Sequence, residues 1–136
     1  MTQDLKDLNV ITQARYQKAQ AEMQAIQAEE NKLRGLLSDL ADQEKSSRDT
    51  MQTDATLRLT GGDLAWNNWI GRNRKILNQQ LANVLVRKEM AFQELQKHFG
   101  KADVMEKLLK EAELTRLQTR RTQQVTSILE TKLSFG

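Results

Sequence analysis

The sequence predicts an all-α fold, a long two-helix antiparallel coiled-coil hairpin, and three observations carry that expectation. The 136 residues contain no Pro and only six Gly, so nothing forces a helix to stop, and straight-chain helix formers dominate. Apolar residues recur at alternating steps of three and four in both halves, which is the seam of a coiled coil. One strong break, Thr60-Gly61-Gly62-Asp63, separates the halves. The expected organisation is a single hairpin over residues 1–136, with helix 1 about 3–59, turn 60–63 and helix 2 about 64–132.

Helix 1 is read from Tyr16, Ala19, Met23, Ile26, Leu33, Leu37 and Leu40, with Met51 resuming the rhythm. Glu30, Glu44 and Ser47 fall on the same stripe and weaken it. Before Tyr16 the register is looser, through Leu5, Leu8 and Ile11. At 1.5 Å per residue such a helix would run roughly 85 Å.

The turn follows from residue chemistry. Gly takes the left-handed conformation that ends a helix, and Asp63 can accept from the free N–H groups of the helix that follows. Gly35, Gly71 and Gly100 stand alone in helical pattern, and Gly100 is the expected place for a bend.

Helix 2 carries Ile70, Leu77, Val84, Ala91, His98, Met105 and Ala112 at intervals of seven. Leu81, Leu95, Ala102 and Leu109 fill the second seam line, which Arg74, Lys88 and Arg116 interrupt. Leu85, Phe92, Phe99 and Leu108 are expected to widen the stripe. A short turn between striped helices folds them back on each other. That sets Leu40 near Val84, Leu33 near Ala91 and Ile26 near His98. Helix 2 then outruns helix 1 after about Arg121, leaving Val125, Ile128, Leu129, Leu133 and Phe135 with nothing of the chain's own to bury against.

Composition narrows the function classes. The apolar fraction is 38% and the charged fraction 29%, too polar for a thick core and too apolar for full disorder. There is no Cys and one His, which excludes a Cys/His dyad, a thiolate metal site and a disulfide. No phosphate loop, dinucleotide loop or paired-His zinc motif occurs. A two-helix hairpin also lacks a concave pocket that could desolvate a substrate. The chain is therefore expected not to be an enzyme and to need no cofactor or metal. His98 reads as a polar group tucked into the seam. The first residues lack a secretory-signal pattern and no long apolar run occurs, so the expected location is cytoplasmic.

Charge is unevenly placed. Residues 1–58 hold eight Lys/Arg against ten Asp/Glu, and residues 59–136 hold thirteen against eight. The second half favours an acidic partner. Arg116, Arg120 and Arg121, near Lys107 and Lys110, read either as a solvated face or as a docking patch for an acidic protein surface or phosphates. A formal net charge of +3 without base-stacking groups argues against nucleic acid. Trp66 and Trp69 open helix 2 beside Ile70; they either cap the hairpin tip or anchor a partner, since Trp is enriched in binding hot spots.

The stretches Leu64-Ala65-Trp66-Asn67-Asn68-Trp69-Ile70, Phe92-Gln93-Glu94-Leu95-Gln96-Lys97 and Met105-Glu106-Lys107-Leu108-Leu109-Lys110-Glu111, set in this architecture, resemble the flagellar export protein FliJ and the YscO-type proteins of injectisomes. The resemblance implies a stalk-like accessory protein of bacterial flagellum biogenesis or type III secretion, serving protein transport. It would enter a hexameric export ATPase by the end holding both termini, through Arg116, Arg120 and Arg121. It would also touch the cytoplasmic domain of the export gate and handle export chaperones. Carried over by position, the gate patch falls at Trp66, Trp69, Ile70 and Leu77, although the His of the family's patch has no counterpart here. Membrane association would be peripheral, through the apparatus. The alternatives from other classes are a substrate chaperone or a structural coiled-coil adaptor with no ATPase partner.

Overall fold

The apolar rhythm does produce helices. A computed structural model describes residues 2–135 of the chain, and their order is α1 (Thr2–Thr53), α2 (Ala55–Leu59) and α3 (Gly62–Phe135). The side chains of residues 2 and 135 lie outside the description, and with them the expected role of Phe135. The described residues contain no strand, so the fold is all-α. None of these helices is long and apolar enough to cross a membrane.

Helix 1 does not run unbroken to residue 59. It stops at Thr53, and Asp54 turns extended, with φ −112° and ψ 99°. The cause is local competition for hydrogen bonds. The Asp54 carboxylate accepts from the Thr56 N–H at 3.0 Å and so caps α2. Thr50 and Thr53 turn their hydroxyls back onto the carbonyls of Ser46 and Asp49. The α1 last turn holds no basic residue to favour its carbonyl end.

The second break is the expected one. Thr60 closes α2 by donating its N–H to the Thr56 carbonyl at 3.1 Å. Gly61 then takes φ 76°, the only positive φ among the described residues, a conformation that a Cβ makes costly. Helix α3 starts at once, with the Ala65 N–H on the Gly61 carbonyl at 3.2 Å. Asp63 lies inside the first turn and accepts from the Leu64 N–H at 2.8 Å. Helix α3 continues through Gly71 and Gly100 without interruption.

The described chain divides into two units. In the unit of residues 21–93, the buried apolar side chains are Leu33, Leu40, Ile70 and Val84. All four are seam positions of the heptad pattern. Glu30 is buried with them, at 6% exposure. Its carboxylate accepts from Lys88 Nζ at 2.7 Å and from Arg34 Nε at 2.8 Å. Fourteen residues on, Glu44 repeats the arrangement with Arg48 of its own helix and Arg74 of α3. Glu29 and Arg87 form a third cross-helix ion pair at 2.8 Å.

Those pairs set the alignment. From Glu44 back to Glu30 along α1, the partner advances from Arg74 to Lys88 along α3. Leu33 shares a cleft with Val84, between Glu29 and Arg87. The expected pairing of Leu33 with Ala91, and of Leu40 with Val84, is therefore displaced by one heptad. The reason is electrostatic: a buried carboxylate requires a charged or hydrogen-bonding partner, and only this alignment brings Lys88 and Arg74 to Glu30 and Glu44.

In the unit of residues 1–20 and 94–136, the buried side chains are Ala19 and Ala102. Tyr16 and Phe99 approach with ring centroids 5.6 Å apart and planes tilted by 50°, a favourable aromatic geometry. His98 sits half-buried on the seam, with Nε2 3.5 Å from Glu94 and Nδ1 buried without a partner. Leu85, Phe92, Phe99 and Leu108 do not widen the buried stripe; each is exposed.

Candidate protein-interaction surfaces

Apolar residues thin out on the seam of α3 after Ala112. The next seam positions are Arg116, Thr119, Gln123 and Thr126, all exposed. Apolar residues continue, but on another face. Leu114, Leu117, Val125 and Ile128 keep the three-and-four spacing, with Arg121 at the missing step. Leu133, twenty-one residues after Ala112, is back on the seam line, and Leu129 lies between the seam and this second stripe. At about 100° per residue the second stripe lies roughly half a turn from the seam. Every described side chain from Leu114 onward is exposed, Leu133 at 82%. The surplus of apolar residues was legible in the sequence. The change of face is contained in the numbering from Leu114 to Ile128.

The expected basic patch resolves into bound and unbound charges. Arg116 donates to the Glu113 carboxylate at 2.6 and 3.4 Å. That hydrogen bond and charge hold Glu113 below the usual carboxylate range and hold the Arg116 guanidinium above its own. Lys107 is taken by Asp103 at 2.8 Å, and Lys110 lies 4.0 Å from Glu106. Arg120 and Arg121 form no ion pair among the described residues. They are the charges of this segment still available to a partner.

The aromatic patch at the start of α3 divides in a similar way. Trp66 and Trp69 stack with centroids 5.1 Å apart and planes 19° from parallel. Trp69 is 41% exposed, whereas Trp66 is half-buried, with Nε1 enclosed and without a hydrogen-bond partner. Trp66 also lines a cleft of about 450 Å³ with Met51, Leu57 and Thr50. Trp66 thus packs toward the residues that precede α3, while Trp69 faces outward. Ile70 belongs to the core at 2% exposure and presents nothing to a partner. Leu77 is half-buried on the seam.

The described residues offer no group of three or more His, Asp or Glu suited to a metal ion. One surface offers an apolar helix face with flanking guanidinium groups, the other a stacked indole pair. No family model, no curated protein and no solved structure matches the chain.

Proposed function

We propose that α1 and α3 form an antiparallel two-helix coiled coil, and that the chain works as a stalk-like accessory protein of a flagellar or related type III protein export apparatus. In this reading the end of α3 docks into the hexameric export ATPase, with Arg116, Arg120 and Arg121 on the docking surface. The indole pair at the start of α3, led by Trp69, meets the cytoplasmic domain of the export gate. Export chaperones are further partners, and the protein works in the cytoplasm at the inner face of the membrane when assembled.

One observation carries the reading. Toward its end α3 presents an apolar stripe, Leu114, Leu117, Val125 and Ile128, on the face away from the seam, and Arg120 and Arg121 accompany it unpaired. A helix built to pair only with α1 has no use for such a stripe. A helix that inserts into the groove of another protein does, and guanidinium groups beside it steer that encounter in a salt-dependent way. The antiparallel pairing is supported by the opposed order of the Glu44–Arg74 and Glu30–Lys88 pairs.

The test is a pull-down with the cognate export ATPase and gate domain, comparing the native chain with the Arg116→Glu/Arg120→Glu/Arg121→Glu variant. Binding by the native chain and its loss in the variant, at unchanged helicity, is the expected result. Absence of ATPase binding by the native chain, with a stable one-to-one complex with a secreted subunit instead, would move the assignment to a substrate chaperone. Recovery of neither leaves a structural adaptor.

A further inference from the structure

We infer that the two carboxylate layers are a latch that selects one of two alignments of α1 on α3, the other displaced by seven residues, with the segment 54–61 holding the length that the displacement consumes. The inference rests on the antiparallel pairing proposed above.

The apolar pattern alone does not choose. In the observed alignment Leu33 lies across from Val84. Displaced by one heptad, Leu33 would meet Ala91 and Leu40 would meet Val84, again apolar on apolar. The polar positions do choose. Glu30 is held by Lys88 and Arg34, and Glu44 by Arg74 and Arg48. In the displaced alignment Lys88 would face Leu37, Arg74 would face Met51 and Glu44 would face Leu81. Lys88 and Arg74 would then sit against apolar groups without their carboxylates, and Glu44 would keep only Arg48 of its own helix, which a folded state resists. A buried polar layer that fixes register is the best-attested use of such groups in coiled coils.

The tip has the matching reserve. Between α1 and α3 lie Asp54, the five residues of α2, and Thr60-Gly61. Continuing α1 through α2 to Leu59 would lengthen its run and move the reversal to Gly61-Gly62, where the displaced alignment places it. Helix α2 has no buried residue to hold it in its present position. Its cap rests on Asp54 and Thr60 alone. A partner that drew the Lys88 or Arg74 charge away would bias the alignment toward the second state, by its differential affinity for the two.

The chain has no Cys, so thiol pairs can be placed at will. Leu33→Cys/Val84→Cys reports the observed alignment, and Leu33→Cys/Ala91→Cys reports the displaced one. Each pair is oxidised in the native background and in Glu30→Leu/Glu44→Leu/Arg74→Leu/Lys88→Leu, and the monomeric intramolecular disulfide is quantified. The native background is expected to favour the 33–84 pair by about tenfold or more. In the uncharged background the two should come within about threefold of each other. A charge-swapped background, Glu30→Lys/Lys88→Glu/Glu44→Arg/Arg74→Glu, guards against misfolding and should return the 33–84 preference. Persistence of the 33–84 preference in the uncharged variant overturns the latch but leaves the pairing intact. Absence of both disulfides in the native background removes the pairing itself.

Discussion

Lys88 Nζ reaches one oxygen of the Glu30 carboxylate at 2.7 Å, across 58 residues of chain, while Arg34 Nε reaches the other at 2.8 Å. Each oxygen of a buried anion is thereby served by a different helix. Charge-assisted hydrogen bonds of this length are the strong ones. Their value lies mainly in what happens when one is removed, because the remaining charge is then left buried alone.

The Lys88→Met variant should therefore lower Tm by roughly 5 °C, more than the loss of an exposed ion pair such as Lys107 with Asp103. The double variant Glu30→Leu/Lys88→Leu should recover most of that loss, since two apolar groups replace a matched pair. Thermal melts followed by circular dichroism decide this. A double variant less stable than Lys88→Met would show that the pair is not an isolated unit.

Acid should weaken the fold through the same groups. The Lys88 hydrogen bond first, and then that of Arg34, hold Glu30 below its ordinary 4.5. Arg74 does the same for Glu44. A carboxylate whose folded pKa lies below its unfolded value stabilises fully above the unfolded value, and that contribution disappears as pH falls through the folded one. Tm should thus decline as pH is lowered from neutrality to below 4.5. Glu30→Gln/Glu44→Gln should decline less steeply, and equal slopes would count against the assignment.

Core and surface should respond very differently to truncation. Ile70, at 2% exposure, should lose about 2–4 kcal/mol on Ile70→Ala. Val86, at 62% exposure, should stay within about 0.5 kcal/mol on Val86→Ala. Leu33→Asp should reduce helicity as well as Tm, by placing an unpaired charge in the core, while Glu22→Gln should change neither. Urea titrations of these variants supply the comparison.

Two glycines should move in opposite directions. Gly61 has φ 76°, so Gly61→Ala should cost about 1 kcal/mol. Gly35 lies in mid-helix with nothing within 4 Å of an added Cβ, so Gly35→Ala should gain about 0.5–1 kcal/mol. Stabilisation by both would mean that the reversal at Gly61 does not need its left-handed conformation.

Much of this was legible in the sequence. The residues placed on the seam from Tyr16 to Met51 are all buried or half-buried, as are those from Ile70 to Ala112. Periodicity finds such residues because a helix repeats every few residues whatever it packs against. Alignment between helices is another matter, because Leu33 can meet Val84 or Ala91 with similar apolar gain. The signal that decides it was present in the interruptions. Glu30 and Glu44 are fourteen apart, and so are Arg74 and Lys88; read as partners and not as blemishes, they give the observed alignment. Two other features were missed for local reasons. Asp54 breaks α1 by a side-chain bond that no apolar pattern encodes. Ile70, placed by the resemblance in a partner-binding patch, belongs to the core, as its seam position in the heptad of Leu77 and Val84 already implies.

The interval from Asp54 to Gly61 has a practical meaning for whoever handles this protein. Its five-residue helix has no fully buried residue, and Leu59 stands 87% exposed at its end. A segment that contributes so little to packing is where foreign sequence can be spliced in at small cost. A reporter domain carried on flexible spacers between Thr60 and Gly61 would leave both chain ends untouched.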